Sequence, residues 1–140
     1  MYLTKEINLY GKDKEKLEIK GIDGIDVSKV ETIIEEVAYW RKVNAIHNWF
    51  VHNVQEGKDD CNKYYVDRKN IVKLLEIIKT ILSDNTKSEE LLPSIDGFFF
   101  GGTEYDEFYF NGLKGTKTML EEILKKDDFD KFTYYYQSSW

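Results

Sequence analysis

One cysteine, one proline and two histidines are all that this chain of 140 residues carries of those three types. A lone Cys61 forbids an internal disulfide and a zinc cluster built on cysteines, and makes a reducing cytoplasm the expected compartment. His47 and His52 stand five positions apart, about 140° around a helix, whereas paired metal ligands on one helix face need i, i+4 spacing. No metal or other cofactor is expected. Pro93 is the sole proline, so the composition does not suit a disordered chain. No stretch approaches the roughly 18 apolar residues of a membrane span. The N-terminus, MYLTKEINLYGKDKE, has no apolar signal core. Basic excess is missing too. Twenty Lys and Arg against 26 Asp and Glu leave a net charge of −6, the wrong sign for a general binder of nucleic acid or anionic membrane. The acids are dispersed among lysines, which makes nucleic-acid mimicry a poor fit as well.

What the chain has in plenty is aromatic: ten Tyr, eight Phe and three Trp, 15% of all residues. Its length suits a single domain, residues 1–140, with one core.

Residues 2–10 and 16–20 (KLEIK) flank the charged turn GKDKE and predict an N-terminal hairpin. Ser28 and Glu31 have the S-x-x-E spacing of a capping box, which predicts a long helix from about Lys29 to Gln55, ended by Gly57. At 100° per residue, Ile33, Val37, Trp40, Val43, Phe50, Val51 and Val54 share one face. Ile34, Ala38, Ala45 and Trp49 form a second apolar patch, so this first helix is expected to be central. Asp67 caps a plain amphipathic helix, RKNIVKLLEIIKTILSD. Residues 84–97 read as the longest loop. Thr103 predicts the start of a third helix, with Asp106 and Glu107 in its first turn and a break or kink at Gly112 and Gly115. The tail DKFTYYYQSSW alternates like a strand. The expected fold is α+β: a small antiparallel sheet of N-terminal hairpin and C-terminal strand, packed on about three helices.

The first predicted helix carries polar residues where packing alone calls for Leu or Ile. Asn44 and His47 sit mid-face, with Trp40, Arg41 and Asn48 on adjoining turns. A buried amide or imidazole must find a partner or lose about 1–3 kcal/mol. Two readings follow. In one, these residues form a buried network that holds neighbouring loops. In the other they line a pocket: Trp40 stacks on a planar ligand, Asn44, His47 and Asn48 read its edges, Arg41 supplies charge, and Tyr105 or Trp140 helps to close it. Trp140 ends the chain on an indole, which suits docking on its own core or on a partner.

Other candidates are weaker. Cys61 and His47 as nucleophile and base lack support, because Asp60 beside Cys61 disfavours a thiolate. Gly101-Gly102-Thr103 opening a helix suits a phosphate cradle, but Glu104, Asp106 and Glu107 repel an anion there. Those three acids have no partner motif that would make them an acid/base pair or a magnesium site. An enzyme is therefore not expected.

Three segments, EVAYWRKVNAIHNWFV, ELLPSIDGFFFGGTEYDEFYF and YYYQSSW, together resemble a family of small, mostly uncharacterised proteins of tailed bacteriophages and prophages. The resemblance covers residues 35–140 and brings no catalytic motif. Residues 101–102 read Gly-Gly where relatives are expected to carry Gly-Ser, so no hydroxyl role transfers. The resemblance implies a context: a counter-defence protein in the host cell cytoplasm that captures a nucleotide-like host defence signal, or one that inhibits a host protein through an aromatic surface patch. A homodimer is compatible with a two-sided helix and many tyrosines.

Overall fold

The N-terminal strand holds the sheet together. In the computed structural model, which describes residues 1–10, 23–96 and 102–139, β1 (Tyr2–Asn8) pairs antiparallel with β2 (Thr32–Tyr39) on one side. On its other side β1 pairs antiparallel with the C-terminal strand, β4 (Thr133–Gln137), and β3 (Tyr64–Val66) completes the sheet at the outer edge of β4. The order is β2-β1-β4-β3. The fold is α+β, as expected, with the N-terminal and C-terminal strands paired in one antiparallel sheet. The expected second arm of an N-terminal hairpin, residues 16–20, lies outside the described residues; the strands paired with β1 are Thr32–Tyr39 and Thr133–Gln137.

The long helix predicted from Lys29 to Gln55 is two elements. Ser28 belongs to a 3-10 turn, Val27–Lys29, whose cap is Asp26, so the Ser28–Glu31 capping box does not form. The run TIIEEVAY is rich in β-branched residues and finds backbone partners along β1, which overrides its helical periodicity. A register shift between Leu3 and Thr4 leaves Val37 without a directly opposed residue, as in a β-bulge. Lys42, at φ 59°, then turns the chain into α1 (Asn44–Asn53). Asn44 to Val51 are all buried, so this helix is central as expected.

Asp67 caps α2 (Arg68–Ser83) in a reciprocal box with Asn70, and the helix buries Ile71, Leu74, Leu75, Ile78 and Ile81. The predicted long loop that follows instead holds a 3-10 turn (Asn85–Lys87) and a one-turn helix, α3 (Ser88–Leu91). The last helix, α4 (Glu107–Lys126), starts at Asp106, whose side chain accepts from the Tyr109 amide, and not at Thr103. It runs unbroken through Gly112 and Gly115. Gly112 lets α4 approach Val43, since a Cβ there would lie 3.0 Å from Val43 Cγ1.

The helices cover one face of the sheet, where Leu3, Tyr134 and Tyr136 are almost wholly buried. Tyr136 stacks on Phe50 of α1 at 4.0 Å between ring centres, and Trp40 packs against both. Lys5 also points inward. It is held by Asp128 at 3.0 Å and Glu35 at 3.2 Å, with its ammonium over the Phe132 ring. The opposite face of the sheet presents Ile34, Tyr39 and Tyr65, each more than half exposed.

Candidate functional site

The polar residues of α1 each reach a different part of the chain. Asn44 Nδ2 donates to the Gly102 carbonyl at 2.8 Å, and Asn48 Nδ2 to the Pro93 carbonyl at 3.2 Å. Both tie α1 to the segments on either side of residues 97–101. His47 points the other way, with no solvent exposure, between Tyr136 Oη at 2.7 Å and Asp59 at 3.0 Å. An ionised Asp59 only accepts, so Nε2 carries the proton and Nδ1 accepts from the Tyr136 hydroxyl. Burial lowers the His47 pKa below its ordinary value, against the pull of Asp59 in the other direction. Burial pushes the Tyr136 phenol up, aided by the Asp59 charge.

Trp40 is packed inside the core. It follows β2, is 2% exposed, and its indole N–H donates to Thr116 Oγ1 at 2.9 Å inside the core. Arg41 is exposed in the turn after it. Tyr105 is half-buried, its hydroxyl accepting from the Ser94 amide and its ring edge-on to Tyr109. Trp140 lies outside the described residues. The ladder read from helical spacing is thus divided: Trp40 and His47 serve the core, while Asn44 and Asn48 reach the surface loops.

Asn44 borders a cleft of about 140 Å³ at the start of α1. One wall is Lys42, Val43, Asn44 and Ala45; the other is Ser94, Gly102, Glu104, Asp106, Phe108 and Tyr109. Val43 offers no side-chain cap, and no acid sits in the first turn of α1. The Asn44 and Ala45 amides therefore point out of the helix with no acceptor among the described residues. The Asn44 Oδ1 likewise accepts nothing among them, although the residue is 3% exposed. Lys42 adds a charge to this corner. Phe108, 56% exposed, offers an aromatic surface opposite.

Gly101-Gly102-Thr103, weighed as a phosphate cradle and set aside, does not open a helix, because α4 begins after Asp106; Gly101 is outside the described residues, and the Gly102 carbonyl is taken by Asn44. The open helix terminus is at α1 instead. Lys42, Ser94 and Phe108 were not legible as site residues, since their meeting depends on the turn at Lys42 and on contacts more than 50 positions apart in sequence. Cys61 is exposed, and His47 is engaged by Asp59 and Tyr136. Among the described residues no group of three His, Cys, Asp or Glu is placed to hold a metal ion. Among the described residues no helix is long and apolar enough to cross a membrane. No protein-family model, curated protein or solved structure matches the chain.

Proposed function

We propose that this is a non-catalytic binding protein that captures a nucleotide-like ligand in the cleft at the start of α1. The observation that carries it is the pair of amides, Asn44 and Ala45, that have no acceptor among the described residues, in a cleft also lined by Lys42 and Phe108. An anionic group fits only at the Lys42 wall of the cleft, by the amides that open α1 and across from the repelling Glu104 and Asp106. A flat ring fits against Phe108, with Glu104 and Asp106 available to accept from its N–H edge. About 140 Å³ encloses one phosphate or one ring, so the rest of the ligand lies over the rim.

The sequence resemblance to proteins of tailed bacteriophages supplies the context for this reading: a counter-defence protein in the cytoplasm of a bacterial host, holding a host signal without turning it over. Calorimetry with mononucleotides and cyclic nucleotides tests it. Lys42→Glu is expected to weaken binding roughly ten-fold or more, the effect of replacing a favourable charge by a repulsive one near an anion. No heat with any of them, and none copurifying, overturns it.

A second reading, inhibition of a host protein, is favoured by a separate feature, the exposed Ile34, Tyr39 and Tyr65 on the open face of the sheet. A stoichiometric protein complex that forms without bound nucleotide, and whose formation Lys42→Glu leaves intact, selects this reading.

A further inference from the structure

Among the described residues, three side-chain atoms are sealed inside the protein with no hydrogen-bond partner: Asn48 Oδ1, Trp49 Nε1 and Gln55 Oε1. Asn44 Oδ1 is placed differently. Asn44 is 3% exposed, and its orientation is set by Nδ2, which donates to the Gly102 carbonyl; a flipped amide would set two acceptors against each other. Oδ1 has no donor, yet it is not one of the sealed atoms, so the little of Asn44 that stays accessible includes Oδ1. Asn44 lines the Lys42 cleft and not the neighbouring hollow beside Trp49. An acceptor in need of a donor therefore opens into the cleft, on the residue whose own backbone N–H lacks an acceptor. A bare oxyanion answers half of this. It accepts from the Asn44 and Ala45 amides and from Lys42, but sets its own oxygens against Asn44 Oδ1. The ligand has to carry a donor beside its anionic group, at the short spacing that separates N–H and Oδ1 within one residue. Glu104 and Asp106 on the opposite wall only accept when ionised, so they cannot supply that donor.

We propose that the end of the ligand held at α1 is a ribose 3′-phosphoryl group with a free hydroxyl on the neighbouring 2′ carbon, and that Asn44 is the residue that selects ribose over deoxyribose. The phosphoryl oxygens accept from the amides that open α1, and the 2′-hydroxyl donates to Asn44 Oδ1. A deoxyribose leaves Oδ1 facing a C–H group. A 5′-phosphate has no hydroxyl on the adjoining carbon, and a 2′,3′-cyclic phosphate has consumed it. About 140 Å³ holds the phosphoryl group and the edge of the sugar, with the base over the rim. This inference rests on the nucleotide reading of the cleft and specifies its sugar.

The test is calorimetry on the intact protein with the 3′,5′-cyclic monophosphates of adenosine, guanosine, cytidine and uridine, each beside its 2′-deoxy counterpart. These diesters carry no phosphate proton near neutral pH, so the 2′-hydroxyl is the one donor next to the phosphate. The ribose form of the base that binds is expected to bind about ten-fold tighter than the deoxy form, the value of roughly one net hydrogen bond. Asn44→Ala removes Oδ1 and should bring the two affinities together. Equal affinities of the two forms for the unmodified protein overturn the proposal and leave Oδ1 to water. Binding confined to 5′-mononucleotides overturns it too, while the nucleotide reading of the cleft stands; no binding by any nucleotide removes both. Asn44 also ties α1 to Gly102, and the comparison of ribose and deoxy forms on the unmodified protein decides the matter even where Asn44→Ala fails to fold.

Discussion

At the scale of the residue, the polar side chains of α1 act as ties between the central helix and the rest of the chain. His47 shows the consequence for pH. Burial is the main influence on its pKa and lowers it from 6.5, while the Asp59 contact acts upward. The unfolded chain thus takes up a proton that the folded one resists. Its stabilising contribution is complete above the unfolded value of 6.5 and is lost as the pH falls from there toward the folded value. Urea midpoints measured from about pH 7 down to about pH 5 are expected to fall, and to fall less steeply in His47→Gln. Equal slopes in the two proteins would remove His47 from the account. Lys5 makes a different tie. Burial alone would lower its pKa, yet Asp128 and Glu35 together raise it, so the inward ammonium stays charged.

At the scale of the element, α4 shows what glycine does and does not do inside a helix. Gly112 and Gly115 both lower helix propensity, but only Gly112 has a neighbour that needs the missing Cβ. Gly115 has open space around it. Gly115→Ala should therefore stabilise the protein by about 0.5–1 kcal/mol and raise its melting midpoint by a few degrees. Gly112→Ala should give less, because the new methyl presses on Val43 at 3.0 Å. A thermal melt of both variants checks the order. The same competition between local preference and long-range contact explains β2. Its β-branched residues permit a strand, its spacing permits a helix, and the open edge of β1 decides.

At the scale of the whole molecule, the first and last strands meet in the middle of the sheet: Leu3 faces Tyr136 across β1 and β4, and among the described residues β3 pairs with β4 alone. A chain ending after Lys131 loses β4, with it the buried Tyr134 and Tyr136 and the stack on Phe50. It is expected to show no cooperative thermal unfolding by circular dichroism; a sharp transition would mean that the helices and β1–β2 suffice. Much of this was legible in the sequence. The α+β class, the N-terminal and C-terminal strands, the Asp67 cap of α2, and the need of Asn44 and His47 for partners all follow from local patterns of apolar spacing and capping chemistry. Local patterns record how often a side chain is buried and not what lies against it. Tertiary structure alone made Thr32–Tyr39 a strand, through backbone bonds to β1 on the far side of a long connection. It sent His47 to Tyr136 and Asp59, and Asn48 to Pro93. It also brought Lys42, Ser94 and Phe108 around one cleft, because a turn at Lys42 and the packing of α4 on Val43 set distant segments side by side.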